Sequence, residues 1–406
     1  MHKIKPYHYN INREERQAKS AAFLRKIAAA DIEMQIDTLT LKNFRNYADE
    51  TFQFAPGLNV LYGKNAQGKT NCAEALFYLC TGTSFRTKKD RQLIREGEEH
   101  AHIFAAARTR FGSVTIEADI FETKREVRIN GGKIARNADL LGNIDGVFFS
   151  PAELRLIQDG PDERRRFLNV SLSQLSRAYY TALVRYNRIL LQRNKLLKER
   201  DFAFIMDTLP VWDEQLCRYA AEIVLARQDY VRRLSPLAAE KHAFLTGSAE
   251  QLQILPEKSW GESREQIEEG LRREFSQNYE RDVRLGFTAS GPHRDDLKIL
   301  IDGKEARAFG SQGQMRTAAL ALKLAEVDIF TGLAGEPPVL ILDDVMSELD
   351  LARRRKLLSA IGGVQTVLTC THTEKVLQGR QVQKVRIAAG AIVPAPARKG
   401  KGEGKG

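Results

Sequence analysis

The stretch LNVLYGKNAQGKTNCAEALFYLC, residues 58–80, constrains this chain more than any other. A run of strand character enters Gly63, a loop closes on Gly68, and Lys69 and Thr70 open a segment with helical apolar spacing at Ala73, Leu76 and Cys80. Strand, glycine-bounded loop and helix in this order form a phosphate cradle. The glycines let the backbone amides of Lys64, Asn65, Ala66 and Gln67 curl around a β-phosphate. Lys69 reaches β- and γ-oxygens, the Thr70 hydroxyl ligates Mg²⁺, and the helix N-terminus adds the positive end of its dipole. The competing reading, a plain glycine turn before a helix, is disfavoured by the strand and helix that flank the loop.

A P-loop needs a metal-side carboxylate at the end of a neighbouring strand. VLILDD supplies one: Val339 to Leu342 are apolar and Asp343 and Asp344 follow. Asp343 would hold Mg²⁺ through water, and Asp344 stands where a general base or water-orienting acid belongs. Alone, this pattern is an ordinary strand exit; with the P-loop it becomes a site. Ser311-Gln312-Gly313-Gln314 opens the apolar helix QMRTAALALKLAEVDIF at 314, and by itself reads as a helix cap.

The rest of the chain places these motifs. From Met34, period-two strands run through MQIDTLTLKNFRNY, TFQFAPGLNVLYG, SVTIEADIF and REVRING, the last closing on an Asn130-Gly131 turn. From about Asp162 to Tyr279 the spacing is helical, with KERDFAFIMDTLP as the turn of a helical hairpin. After Gly291 the signals return to strand, helix, strand. The fold class is α/β: one P-loop ATPase head built from both ends of the chain, with an inserted helical arm. The expected divisions are a disordered extension at 1–33, head at 34–155, arm at 156–285, head again at 286–387 and a disordered tail at 388–406. Met34 reads as an alternative start.

Composition adds limits. Of the net charge of +11, the first 33 residues and the last 19 carry +3 each, so the body retains only about +5, a mild pointer to nucleic acid. No apolar run approaches the roughly 20 residues of a membrane span. Cys72, Cys80, Cys217 and Cys370 lack paired metal-ligand spacing, which suits a reducing, cytoplasmic compartment.

Five motifs in order resemble ATPases of the ABC class: the P-loop, Ser311-x-Gly313-Gln314 as signature, Asp343-Asp344, Ser347-Glu348-Leu349-Asp350 as D-loop, and His372 as switch histidine. With LTLKNFRNY, DERRRFLN, GPHRDD and LILDDVMSELD, residues 34 to 385 resemble the RecF family of bacterial recombination mediators. The resemblance implies an ATP-dependent homodimer that sandwiches ATP, with Ser311 of one copy facing the P-loop of the other. It also implies binding of double-stranded, single-stranded or gapped DNA, partnership with RecO and RecR mediators in recombinational repair, and weak, DNA-stimulated hydrolysis that acts as a switch. Asp344, shorter than the glutamate of transporters, implies slow turnover.

Some positions keep two readings. No glutamine stands where a Q-loop is expected in VFFSPAEL, leaving Ser150 or Glu153. His293 and Arg294 could contact nucleotide or DNA, or only form a Gly-Pro turn. Arg164, Arg165 and Arg166 could meet phosphates or line a dimer, or be a solvated helix face. Asn43 and Arg45 could lie near nucleotide or serve a turn. Tyr186, Trp212 and Tyr219 read as core before base-stacking platform. The alternative function is the ATPase subunit of an ABC transporter, which shares the motifs but has a clear Q-loop and a shorter insertion.

Overall fold

Alternation builds the first layer. In β5 (Gly112–Phe121) Val114, Ile116, Ala118 and Ile120 are buried, while the residues between them are partly exposed. A computed structural model describes residues 34–199, 201–372, 377 and 381–394. β5 belongs to an antiparallel sheet in the order β2 (Tyr47–Gln53), β1 (Gln35–Phe44), β4 (His100–Thr109), β5, β6 (Arg125–Ile129), β7 (Gly132–Lys133). The expected disorder of 1–33 falls outside the described residues.

The second sheet is the head's centre. Its order is β15 (Ala391–Val393), β14 (Val382–Ala388), β3 (Leu58–Tyr62), β13 (Thr366–Cys370), β12 (Val339–Asp343), β8 (Gly146–Phe149). All pairs except β14–β15 are parallel. Every residue of β12 and β13 is buried, as a parallel sheet covered on both faces requires. Successive residues serve opposite cores. Val60, Leu340, Leu342 and Leu368 pack on one side with α7 (Gln312–Ala334) and the arm, whereas Leu61, Ile341 and Val367 pack on the other with α1 (Lys69–Thr81) and the antiparallel sheet.

The arm comprises α2 (Pro161–Leu175), α3 (Arg177–Leu196), α4 (Phe202–Thr246), α5 (Arg264–Gln277) and α6 (Tyr279–Leu285). Three expectations need correction. First, most of KERDFAFIMDTLP is helix: α4 starts at Phe202, and the Asp201 side chain caps it by accepting from Phe204 N–H. Pro210 lies inside α4, where a proline ordinarily breaks the helix. Ile205 and Leu209 close on Leu196 and Leu197 across the hairpin, and that packing carries the helix through. Second, Leu252–Pro256 is a strand, β9, pairing with β10 (Leu297–Ile301), which in turn pairs with β11 (Lys304–Glu305). Its alternating buried Leu252 and Ile254 give the period-two reason. Third, order extends past 388, because Ala389 and Gly390, with φ of 50° and 73°, turn β14 back into β15. The tail from 395 lies outside the described residues.

One buried ion cluster ties the arm together. Arg193 is fully buried on α3, with Nε 2.6 Å from Asp213 Oδ1 of α4 and Nη1 2.7 Å from Asp282 Oδ2 of α6. The same Nη1 donates to Thr288 Oγ1 at 2.8 Å. Asp213 still pairs with Arg193 when Asp282 is removed, so what Asp282→Ala loses is the buried charge-assisted bond from Nη1 and the bond from Ala289 N–H, a cost of about 2–3 kcal/mol. Asp213→Ala, whose carboxylate is 22% exposed, should cost distinctly less. Urea unfolding followed by tryptophan fluorescence checks the ranking; equal losses would refute it.

Candidate functional site

The P-loop is clamped from three directions. A Cβ on Gly63 would meet Ile387 O of β14 at 2.2 Å, so only glycine lets the two backbones approach. Gly68 has φ 116°, and its carbonyl accepts from Tyr47 Oη at 2.9 Å. Gln67 O accepts from Asn46 Nδ2 at 3.0 Å and from Gly390 N–H at 2.9 Å, while Gln67 Oε1 accepts from Ala389 N–H at 2.7 Å. The turn between β1 and β2 and the β14–β15 turn thus fix the loop.

Inside this frame Lys69 is buried, and its Nζ donates to Gly63 O and Lys64 O, each at 2.7 Å. No carboxylate lies within ion-pair distance of it among the described residues. Burial lowers its pKa below the usual lysine value, against the pull of Asp344 and Asp343. Thr70 Oγ1 donates to Asp343 Oδ1 at 3.0 Å, and Thr369 Oγ1 donates to the same oxygen at 2.7 Å. Burial raises the Asp343 pKa, opposed by these two hydroxyls. Although a neighbouring strand was expected to carry this aspartate, β13 lies between β3 and β12, and its Thr369 bridges the gap. Hard oxygens at Thr70 and Asp343, a buried ammonium and free helix amides suit a metal-bound polyphosphate. Asp344 takes the left-handed conformation (φ 52°), its amide donating to Thr369 Oγ1 at 3.0 Å.

The signature residues stand apart from this cluster. Ser311 and Gln314 form a capping box: Ser311 Oγ accepts from Gln314 N–H at 3.2 Å, and Gln314 Oε1 accepts from Ser311 N–H at 2.8 Å. Ser311 is exposed and Gly313 half-buried. Neither they nor Gln314 share a hydrogen bond with the P-loop or Asp343 among the described residues. Instead Gln314 Nε2 donates to Glu250 Oε1 at 3.0 Å, and Arg316 pairs with Glu348 of the D-loop at 2.7 Å. Helix α8 (Leu351–Ala360) is capped by the D-loop's Asp350, which accepts from Arg353 N–H at 2.8 Å. His372 is exposed just beyond β13, whose Cys370 O accepts from Gly63 N–H at 3.4 Å.

Of the two Q-loop candidates, Ser150 follows Phe149, which pairs with Leu342, so Ser150 stands level with Asp343. Glu153 lies near Lys323 and Arg166, its pKa raised by burial. Asn43 and Arg45 take the turn role, with φ of 49° and 55°. Arg45 grips the buried Glu74 of α1 through Nε and Nη2 at 2.9 and 2.7 Å. The residues of this segment that reach the P-loop are Asn46 and Tyr47, which spacing alone did not single out.

The arginine run is no solvated face. Arg164 is 4% exposed and bidentate to Asp296 at 2.6 and 2.8 Å, and Arg165 donates to Asp295 O. His293 sits between Tyr186 Oη at 2.5 Å and Thr288 O at 3.0 Å. Burial lowers its pKa to about 4, so the neutral ring donates from Nε2 to Thr288 O and accepts from Tyr186 at Nδ1. Tyr186 is core, and Trp212 and Tyr219 pack against it from the half-buried rim. GPHRDD is therefore a latch that holds the chain leaving α6 to α2 and α3.

Gly390 offers a test of the clamp, since a Cβ there would meet Asn46 O at 2.2 Å at a positive φ. Gly390→Ala should weaken ATP binding roughly tenfold with secondary structure retained, from strain of about 1–3 kcal/mol. Titration with a fluorescent ATP analogue reads it; unchanged affinity would show that the turn does not brace the loop.

The family described as RecF/RecN/SMC N terminal domain matches residues 35–392. The DNA replication and repair protein RecF of Lachnoclostridium phytofermentans is 43% identical over 351 residues, covering 86% of this chain and 95% of that protein. The protein of the same name from Symbiobacterium thermophilum is 42% identical over 372 residues, covering 89% and 98%. A solved structure of the recombination mediator protein RecF with ATP, of the RecFOR pathway, superposes with a TM-score of 0.82 at 34% identity over 90% of this chain and 98% of that one. The Smc head domain of Pyrococcus furiosus shares the fold, with a TM-score of 0.52 at 16% identity over 88% and 95%. With family and structural matches running through both halves of the head and the arm between them, the chain belongs to the RecF family.

Proposed function

We propose that this chain is an ATP-gated DNA-binding switch of recombinational repair and replication-fork maintenance. ATP joins two heads on duplex, single-stranded or gapped DNA, slow DNA-stimulated hydrolysis releases them, and RecO- and RecR-type mediators use the clamp to load recombinase. The relatives' names and the RecFOR description of the matched structure support this reading, and the transporter alternative finds no support in them. Among the described residues no helix is long and apolar enough to cross a membrane, and all four cysteines are buried; a cytoplasmic location is part of this reading.

One observation carries the proposal: Lys69, Thr70 and Asp343 form one cluster, while Ser311 opens α7 toward solvent and shares no bond with it. An exposed helix N-terminus is an anion site in want of its anion. In the ATP-bound dimer, Ser311, Gly313 and the free amides of α7 face the γ-phosphate held by residues 63–70 of the other copy. Thr70 and Asp343 would hold Mg²⁺, which when bound neutralises phosphate charge. Asp344 orients the attacking water and His372 senses the γ-phosphate. For DNA, the exposed cations Arg177, Arg185, Arg188 and Lys195 of α3 provide a phosphate-binding ridge.

Ser311→Asp separates capping from catalysis. Aspartate caps a helix as well as serine does, yet repels a phosphate. The variant should melt like wild type and bind ATP, but lose turnover by about 10²–10³, the weight of one donor aimed at developing charge. Sedimentation velocity with and without ATP completes the test. Wild type should dimerise with ATP, Lys69→Ala should not bind it, and Asp344→Asn should be trapped as a dimer. DNA affinity should fall steeply between two salt concentrations. A wild type that stays monomeric with ATP and binds DNA no tighter would falsify the clamp.

A further inference from the structure

A cavity of about 350 Å³ lies where α2 meets the arm helices α3 and α4 and the 291–293 turn. Its size falls in the range of small-ligand pockets. It shares no lining residue with the P-loop, the Asp343 cluster or the signature. Arg165, Arg166 and Arg227 supply three guanidiniums to its wall, against the single carboxylate of Asp162 at the exposed rim. His293, which also lines it, is kept neutral by burial.

Arg227 is the informative one. It is 7% exposed, and its three bonds go to neutral acceptors: Tyr179 Oη at 3.2 Å, Pro292 O at 2.6 Å and Asn169 Oδ1 at 2.9 Å. No carboxylate lies within ion-pair distance of it among the described residues. The Asp295 carboxylate acts on it through space without contact, so part of this buried charge is left for something else to balance. Arg165 and Arg166 do not relieve it, since their own partners are the neighbouring Asp162 and Glu163 of α2. Asn169 Oδ1 accepts from both Tyr179 and Arg227, which leaves its amide N–H₂ as a donor beside the cavity. Cations and amide donors on three sides of a nucleotide-sized space are the chemistry of phosphate recognition.

We propose that this cavity is a second anion site, separate from the ATP site, that takes a phosphate group carrying at most a nucleotide-sized moiety. The phosphate would come from a free nucleotide or inorganic phosphate, or from the backbone of a bound strand. Because the wall draws on α2, α3, α4 and the latch turn, an occupant cross-links these three helices to the 291–293 turn.

The test uses the full chain as Lys69→Ala, so that the P-loop does not contribute and failure of the ATP clamp leaves this result untouched. Inorganic phosphate and adenosine monophosphate are titrated by calorimetry and by thermal melting, with sodium chloride holding ionic strength constant. Saturable binding and a rise in melting temperature beyond the chloride control are expected. Arg166→Gln and the rim change Asn187→Asp, each added to Lys69→Ala, should weaken binding by about tenfold. A short duplex DNA that displaces adenosine monophosphate would identify the strand as the source; one that does not would identify the free ligand. Absence of saturable binding, or binding that both changes leave unaltered, overturns the proposal.

Discussion

The structure depends on the pairing of β3 with β13 and β14. The strand that delivers the P-loop lies among the first 30 residues of the described chain, yet both its neighbours arrive more than 300 residues later: Leu58 pairs with Thr366 on one side and Val382 on the other. Until they dock, β3 has no ladder, Gly63 has no backbone to lie against, and Asp343 has no Thr369 to orient it. Site, sheet and arm placement therefore form together or not at all. Contacts of this separation fold slowly, because loop-closure entropy must be met before the pairing stabilises anything.

The same constraint makes the arm part of the head. Between the two halves of the sheet the chain leaves and returns, and the return is pinned by Arg164 to Asp296, Arg227 to Pro292 O, and His293 to Tyr186. Helix α4 packs along α7, and Glu250, just beyond α4, holds Gln314 at the start of α7. Lys241–Asp328 adds an ion pair along the two helices at 2.6 Å. The signature helix thus rests on the arm, and through Arg316–Glu348 it also touches the D-loop. A force on the arm reaches Ser311 by a short chain of contacts, a physical route for DNA and nucleotide to influence one another.

The sequence disclosed what is contiguous. GKNAQGKT and VLILDD carry their residue types in a few adjacent positions, so a strand–loop–helix and a strand ending in an acid were legible, as was the head assembled from both chain ends. What stayed hidden are interactions whose partners are remote or whose donors are backbone. Nothing in the spacing says that Asn46 and Gly390 hold Gln67 O, because one donor is a turn amide more than 300 residues away. Arg164 looked like one of three surface charges because its partner Asp296 lies across the arm insertion. Pro210 misled because local propensity argues for a break, while packing of Ile205 and Leu209 at the hairpin tip decides otherwise. His372 and the signature residues are only placed, each at the exposed end of its element.

Electrostatics explain why the cradle and the acid belong to one ligand. Lys69 is a buried cation resting on two carbonyls, and Asp343 is a buried carboxyl resting on two hydroxyls; among the described residues neither has a charged partner in contact. Each carries an unmet desolvation cost. Placing them closer would satisfy both by a direct ion pair and leave a dead site. The strand order prevents this: β13 stands between β3 and β12, and Thr70 and Thr369 occupy the space between. A ligand that brings negative phosphate to Lys69 and a divalent cation to Asp343 satisfies both groups at once. What it leaves uncovered is the far side of the phosphate, where the proposed dimer would bring the exposed α7 end of a second copy.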